Sequence, residues 1–222
     1  MEIIMPQLAT SNLTYQATGR SIINGIDWSL EKQEIVTITG PSGSGKSTFV
    51  RLLASLLEPT SGTITFDDQD IETLDPIAYR RRVSYAVQQP TLFGKTVREN
   101  LAFPYQLRKK PFDEQHAVKA LQTVDLGASD LDREITSLSG GEKQRVALLR
   151  NVMFVPEVLI MDEVTTGLDS DSKGSVHKMI DYFNDRHQLS VIMITHDEEE
   201  LKHAHNLYRL ADGKLAEVDQ HE

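Results

Sequence analysis

Residues 40–48 read Gly40-Pro41-Ser42-Gly43-Ser44-Gly45-Lys46-Ser47-Thr48, and this stretch decides the fold. Its spacing is G-x-x-x-x-G-K-[ST], the pattern of a phosphate-binding loop. The glycines let the backbone curl so that successive N–H groups point at one centre, and the dipole of a following helix acts on the same spot. Lys46 brings a full positive charge to nucleotide phosphates, and Ser47 offers a hydroxyl to the Mg²⁺ that bridges them.

The residues on either side of this loop have the context that the motif needs. Ile35–Thr39 is a β-branched run typical of a strand, and Phe49–Ala54 continues with residues that favour a helix. A plain Gly/Ser-rich turn is the alternative interpretation, but the order strand, loop, helix favours phosphate binding.

Composition narrows the class of protein. The chain has 222 residues, a formal net charge of −10 and no cysteine, which excludes disulfides and cysteine-ligated metal sites. The acidic balance does not favour nucleic acid as a partner, and the basic runs Arg80–Arg82 and Arg108–Lys110 are expected to be solvated surface turns. Residues 1–6 show no signal-peptide pattern and no apolar run is long enough to span a bilayer, so we expect a cytoplasmic chain.

The remaining pattern alternates strands and helices, as in an α/β protein. Strands are predicted at 8–15, 22–30, 35–39, 63–66, 83–87, 158–161 and 191–194, and a closing hairpin at 206–210 and 214–218. Helices are predicted after Lys46 and at 97–101, 113–124, 140–154 and 170–186, the last with Val176, Met179, Ile180 and Phe183 on one face. The helical stretch in the middle of the chain reads as an insertion into an α/β core.

Two acidic residues follow a short, fully apolar strand. Asp162 and Glu163 end the run Val158–Met161, and the carboxyl ends of strands in an open α/β sheet face the ligand crevice. Asp162 is therefore expected to hold Mg²⁺, directly or through water, and Glu163 to act as general base on the attacking water. A helix N-cap without a catalytic role is the alternative, which the loop at 40–48 disfavours.

Two further motifs carry site chemistry. His196 follows the apolar strand Val191–Ile194, and this position favours contact with a γ-phosphate over a purely structural role. Leu138–Arg145 reads LSGGEKQR, in which a Ser-Gly-Gly cap begins a helix and forms a second anion site. An ordinary capped helix is the alternative for this segment.

At this point the chain resembles the ATP-binding subunit of ABC transporters, from about residue 8 to residue 212. Residues 40–48 are similar to the Walker A loop, 138–142 to the LSGGE signature, Asp162 and Glu163 to Walker B, Val164–Asp169 to the D-loop and His196 to the switch histidine. Gln88 is similar to the Q-loop glutamine, chosen over Gln89 for its spacing to Leu92 and Phe93.

The resemblance implies a fold: a P-loop ABC ATPase core with an antiparallel β subdomain and a helical subdomain insertion, in one domain over 1–222. Residues 1–88 and 156–222 would form the core and β subdomain, and 89–155 the helical subdomain.

The resemblance also implies ATP and Mg²⁺ as cofactors. The implied catalytic residues are Lys46, Gln88, Glu163 and His196, and the implied Mg²⁺ ligands are Ser47, Gln88 and Asp162. The implied nucleotide-binding residues are Tyr15, which would stack on adenine, with Gly40, Pro41, Ser42, Gly43, Ser44, Gly45, Lys46, Ser47, Thr48, Ser139, Gly140, Gly141 and Glu142.

The family resemblance also implies partners. Two copies would stack head to tail, so that Ser139 serves the ATP of the other copy. An integral-membrane permease would hold the pair at the cytoplasmic face of the inner membrane as a peripheral protein. Thr91–Phe93 and Phe103–Leu107 are the apolar and aromatic candidates for that contact; packing within the helical insertion is the alternative.

The transported cargo rests on a looser similarity. Residues 83–108 and 138–151 look like the Fet-type bacterial iron-export ATPase, which predicts export of iron or a related metal. The alternatives are a small-solute importer, a lipid or peptide exporter, and a non-transport ABC ATPase of DNA repair or the ribosome. A DNA-repair ATPase would need a long coiled coil before the signature, and no heptads occur there.

Residues His196–Glu200, with His203 and His205, could form a metal site. The alternative interpretation is an acidic first turn of a helix, which the helix dipole favours.

Overall fold

The computed structural model describes residues 5–89 and 91–218. The two ends of the predicted domain, the first four residues of the segment examined for a signal peptide, and Pro90 beside the two glutamines lie outside the described residues. The strands are β1 Leu8–Ala17, β2 Arg20–Leu30, β3 Ile35–Thr39, β4 Ser61–Phe66, β5 Gln69–Asp70, β6 Val83–Ala86, β7 Val158–Asp162, β8 Ser190–Ile194, β9 Asn206–Ala211 and β10 Lys214–Glu217. The α-helices are α1 Lys46–Leu53, α2 Pro76–Arg82, α3 Val97–Leu107, α4 Glu114–Gln122, α5 Gly140–Val152, α6 Ser170–His187 and α7 Glu198–Lys202.

Within these residues the strands form two sheets. An antiparallel sheet has the order β2-β1-β4-β5, and a second sheet has the order β10-β9-β3-β8-β7-β6. In the second sheet β9, β3, β8, β7 and β6 run parallel, and β10 is antiparallel at the edge. The predicted α/β fold with a separate antiparallel β unit is confirmed.

The parallel sheet is buried on both faces, which explains its apolar strands. In β7, Val158 and Ile160 face a core that also contains α1 and the antiparallel sheet. Leu159 and Met161 alternate with them and face a second core, built with helices α3 to α6. Because side chains alternate along a strand, a continuous apolar run is what a strand between two cores requires.

The helices between β6 and β7 pack against one face of this sheet. Helices α3 and α5 contact each other, and α5 also contacts β6 and α6. Helix α3 runs on to Leu107, past the predicted end at 101, and contains Pro104. Tyr105 is buried against Phe112 and Phe154, so this part of the predicted partner-binding segment packs internally.

Helix α2 was not predicted: Arg80–Arg82 lie in this helix and not in a turn, although Arg80 and Arg81 are exposed as expected. These arginines form the last turn of α2, which begins with Pro76 after an Asp75 N-cap. Arg82 is paired with Asp67 and Glu157 and stacks on Phe66. The Asp-Pro pair was the available signal, because an N-cap aspartate before a proline is a common start of a helix.

Candidate active site

The phosphate-binding loop leads from β3 into α1, and its shape depends on glycines. Gly40 has φ 144° and Gly45 has φ 101°, conformations that other residues rarely adopt. A Cβ on Gly40 would lie 2.0 Å from the carbonyl oxygen of Leu210, and one on Gly45 would press on Ile22. The loop is thus seated against β9 and β2, and a cavity of about 290 Å³ opens over it, lined by Ile22, Ser42, Gly43, Gly45–Thr48 and Glu163.

Polar groups of the loop suit a phosphate ligand. The buried Oγ of Ser44 has no hydrogen-bond partner among the described residues. Lys46 is 5% exposed, and its Nζ donates to the carbonyl oxygens of Gly40 and Pro41 at 2.9 and 3.0 Å. Burial lowers the pKa of Lys46, while the carboxylates of Glu163 and Asp162 act in the opposite direction. An ammonium group held beside this loop fits the phosphates of ATP.

Hard oxygen ligands for Mg²⁺ meet at the end of β7. Asp162 is buried, and its Oδ1 accepts a hydrogen bond from Ser47 Oγ at 3.0 Å. Its Oδ2 accepts from the hydroxyl of Tyr85 at 2.5 Å, and Arg51 Nε in turn donates to that hydroxyl at 3.3 Å. Burial, followed by the hydrogen bond to Asp162, raises the pKa of Tyr85 to about 12. A carboxylate beside a serine hydroxyl has the donor chemistry that Mg²⁺ selects.

Tyr85 and Arg51 were missed by the sequence analysis. Tyr85 lies on β6 opposite Ile160 of β7, two residues from Asp162 along the neighbouring strand. A tyrosine in a half-buried strand is unremarkable in sequence, and only strand pairing brings its hydroxyl to the carboxylate.

Three predicted catalytic residues meet directly after β7. Glu163 has φ 53° and its N–H donates to the carbonyl oxygen of Ile194, which fixes the start of this loop against β8. Its Oε2 accepts from Gln88 Nε2 at 2.8 Å, and its Oε1 lies 3.1 Å from His196 Nε2. The structure therefore places Gln88 and His196 on the two oxygens of one carboxylate, next to the phosphate-binding loop.

Sheet order explains this meeting. Strand β8 lies between β3 and β7, and β6 pairs with β7, so that their carboxyl ends share one edge. The four segments that leave this edge carry Lys46, Gln88, Glu163 and His196. This is the crevice position at which open α/β sheets bind ligands.

Tyr15, predicted to stack on adenine, lies on β1 opposite Ile23. Ile22 and Ile23 contact the position of Gly45, so Tyr15 is one strand away from the phosphate-binding loop. The tyrosine is partly buried against the core between the sheets. The adenine-stacking role of Tyr15 stays a prediction.

The signature residues form a separate site. Ser139 is the N-cap of α5: its Oγ accepts from the N–H of Glu142 at 3.2 Å, and its own N–H donates to Glu142 Oε2 at 2.7 Å. The Arg133 guanidinium, with the N–H of Ser139, lowers the pKa of Glu142 to about 2. Gly141 packs on Ser172, where a Cβ would lie 2.3 Å from Oγ, whereas Gly140 faces open space.

These signature residues have no part in the cavity over the phosphate-binding loop. Among the described residues, none of the hydrogen bonds of Ser139–Glu142 reaches residues 40–48, and the lining of that cavity includes none of the four. The two sites that the sequence predicts to bind one nucleotide are therefore not assembled within one copy of the chain.

The acidic residues near α7 begin the helix and form ion pairs. In the part of the chain that the structure describes, no group of three or more metal-ligating side chains could hold an ion. Asp197 caps α7 and pairs with Lys173, and the acidic first turn follows that cap.

No helix among the described residues is long and apolar enough to cross a membrane.

The phosphate-binding loop, the carboxylates at the end of β7 and the sheet order together define an ATP-hydrolysing P-loop protein that uses ATP with Mg²⁺. Residues 23–166 match the family model described as ABC transporter. The chain belongs to the ABC transporter family.

Individual proteins of this family resemble the chain closely. It is 44% identical to the probable iron export ATP-binding protein FetA of Escherichia coli (strain K12), over 92% of this chain and 91% of that protein. A solved structure of a bacterial Atm1-family ABC exporter with ATP bound is 26% identical with a TM-score of 0.85, covering 97% of this chain and 39% of the other. A dimeric ATP-binding cassette in a post-hydrolysis state, bound to ADP and Pi, has the same fold, with a TM-score of 0.84, 24% identity and coverage of 97% and 99%.

Proposed function

We propose that this chain hydrolyses ATP to power a membrane transporter that exports iron or a related metal. One observation carries the ATPase mechanism: the carboxylate of Glu163 lies at the phosphate-binding loop and is held by both Gln88 and His196. The cargo rests on the 44% identity to the iron export protein, a likeness that spans nearly the whole of both chains.

The binding groups supply position and charge. Lys46 would exchange the carbonyl oxygens of Gly40 and Pro41 for phosphate oxygens, and the N–H groups of the loop would hold the same phosphates. Ser47 and Asp162 would hold Mg²⁺, which neutralises charge on the phosphates when bound. Tyr85 keeps the Asp162 carboxylate oriented by donating to the oxygen that Ser47 does not use.

Glu163 takes the proton of the attacking water as general base. One of its oxygens accepts from Gln88, which follows β6, and the other lies 3.1 Å from His196, which follows β8, so its side chain is held in one orientation before substrate arrives. Gln88 and His196 would then contact the water and the γ-phosphate. Pre-positioning of this kind lowers the barrier because little reorganisation is needed during the reaction.

A second copy of the chain completes each site. The hydroxyl of Ser139 and the N–H groups at the start of α5 lie outside the cavity over the phosphate-binding loop of their own copy. A head-to-tail pair would bring these groups to the ATP of the other copy, so that ATP closes the dimer and hydrolysis reopens it. The division into a core of 1–88 with 156–222 and a helical subdomain of 89–155 stays a prediction within this scheme.

An integral-membrane permease is the other partner. A groove of about 440 Å³ lies between α2, α3 and α5, and beside it Ile77 and Leu107 are 64% and 56% exposed. Exposed apolar side chains around a groove are typical of an interface. Contact there would hold the chain at the cytoplasmic face of the inner membrane as a peripheral protein.

The groove is also lined by positively charged side chains, which select the kind of partner that it binds. Its lining includes Arg80, Arg81, Arg108 and Arg150. Among the described residues none of the four has a carboxylate within ion-pair distance; their guanidinium groups donate to backbone carbonyls instead. Burial, followed by the charge of Arg81, lowers the pKa of Arg108. An apolar permease segment that carries carboxylates fits this groove.

The test of the cargo compares the chain alone with the complex in membranes. Purified chain should hydrolyse ATP at a rate that ferrous iron does not change, whereas membranes that contain the permease should respond to the metal. Cells without the chain should accumulate iron, and Glu163→Gln should not restore export. Unchanged cellular iron, with lost uptake of a sugar, amino acid or phosphate, would overturn the export assignment.

A further inference from the structure

Glu200 is a carboxylate in the interior of the protein, although it belongs to an acidic surface helix. Glu198 and Glu199, its neighbours on α7, are exposed, and Glu199 pairs with Lys202. The side chain of Glu200 is only 4% exposed. A buried carboxylate is costly unless it is paired and hydrogen-bonded, so its position requires an explanation beyond the acidic first turn of a helix.

Each oxygen of this carboxylate is satisfied by another part of the chain. Oε2 accepts from the hydroxyl of Thr165 at 3.0 Å and from the hydroxyl of Thr195, and Oε1 lies 2.9 Å from His177 Nε2. Burial opposes ionisation, but the hydrogen bonds from these three residues outweigh it and keep the pKa of Glu200 below its ordinary value. Glu200 is therefore an ionised carboxylate whose two oxygens both have hydrogen-bond partners, at a junction between several parts of the chain.

The junction joins the two loops that supply the catalytic groups. Thr195 immediately precedes His196, and Thr165 lies two residues after Glu163. His177 adds α6, which follows the Glu163 loop in the chain. A second contact ties the same parts together, because Lys173 of α6 pairs with Asp197. The carboxylate of Glu200 thus contacts both the loop that carries Glu163 and the residue before His196, and it is one of the contacts that set their relative position.

We propose that Glu200 is a positioning residue for hydrolysis, which holds the His196 loop against the Glu163 loop. It lies outside the cavity over the phosphate-binding loop and contacts none of the predicted nucleotide ligands. Its loss should therefore lower kcat and leave nucleotide affinity unchanged. This inference rests on the proposed roles of Glu163 and His196.

The test uses the full chain and measures single-turnover hydrolysis with enzyme in excess, together with ADP affinity and Tm. Glu200→Ala should lower the hydrolysis rate tenfold or more with ADP affinity within twofold, because a displaced catalytic group can cost up to about a hundredfold. Glu200→Gln should recover most of the rate, since an amide still accepts from both threonines. Glu199→Ala, on the same helix but exposed, is the matched control and should stay within twofold.

A double-mutant cycle separates positioning from general destabilisation. If Glu200 acts through His196, Glu200→Ala should add less than twofold once His196→Ala is present. Thr165→Val removes one hydroxyl at nearly constant volume, and it carries the same cycle should Glu200→Ala fail to fold. It should lower the rate threefold or more alone and add nothing to His196→Ala.

The outcomes that overturn the inference differ from those that overturn the proposed function. A wild-type hydrolysis rate in Glu200→Ala would reject the positioning role of Glu200 and nothing else. The same holds if Glu200→Ala lowers the rate as much in the His196→Ala background as it does in the wild type. Wild-type rates in Glu163→Gln and His196→Ala would instead reject the proposed catalytic roles, and with them the basis for this inference.

Discussion

The substitution Glu163→Gln removes the proposed general base while preserving the shape of the site. The amide has the size of the carboxylate, and its oxygen can still accept from Gln88 Nε2, which lies 2.8 Å from Oε2. What it cannot do is take a proton from water at neutral pH. Lys46 also loses one of the two carboxylates that act on its pKa, but it keeps Asp162.

The expected magnitude follows from these contacts. A positioned general base contributes about 10²–10⁴-fold to a rate, so the barrier should rise by about 2.7–5.4 kcal/mol at 1.36 kcal/mol per tenfold. Nucleotide affinity should change less than tenfold, because every group that holds phosphate or Mg²⁺ remains. A loss in kcat with retained affinity identifies an interaction made in the transition state.

Phosphate release measures turnover, and equilibrium binding of a fluorescent ATP analogue measures affinity. Glu199→Gln is the control, since it also neutralises a glutamate but does so on the surface of α7. Turnover within tenfold of wild type would remove Glu163 from the role of base. Loss of both binding and turnover would assign it to nucleotide binding instead.

Three further outcomes are expected. In the Glu163→Gln background, Mg·ATP should produce a dimer by light scattering, and Ser139→Trp should abolish it without weakening nucleotide binding by the monomer; a dimer without nucleotide would contradict the shared site. Arg108→Glu should release the chain from permease-containing membranes, whereas the ATPase rate of the purified chain stays within twofold; retained membrane binding would reject the charged groove. The pKa of Glu142 is lowered from 4.5 to about 2, so its ion pair stabilises the fold above pH 4.5 and is lost as the pH falls through about 2. Urea unfolding should therefore show a stability gap between wild type and Glu142→Gln that closes between pH 5 and pH 2; a gap independent of pH would contradict this.

The sequence by itself determined the parts of the site that lie in continuous segments. Residues 40–48 specify a phosphate-binding loop because each glycine meets a local backbone requirement, and Gly40 and Gly45 do adopt positive φ. The apolar run before Asp162 indicated a strand, all five residues of β7 are buried, and Val176, Met179, Ile180 and Phe183 do form the buried face of α6. These features depend on neighbours in the chain, so local chemistry and periodicity are sufficient to predict them.

Tertiary structure decided which of these segments meet. The placement of β8 between β3 and β7 brings His196 to Glu163, and the pairing of β6 with β7 brings Gln88 and Tyr85 to the same edge. Periodicity tells which face of a strand is buried, but it does not tell which strand lies beside it. The inward turn of Glu200 shows the same limit: three adjacent glutamates look alike in sequence, and only the packing of α7 against Thr165, Thr195 and His177 gives one of them buried partners. Strand order and burial arise from contacts between residues far apart in the chain, and so the catalytic arrangement exists only once the whole sheet has assembled.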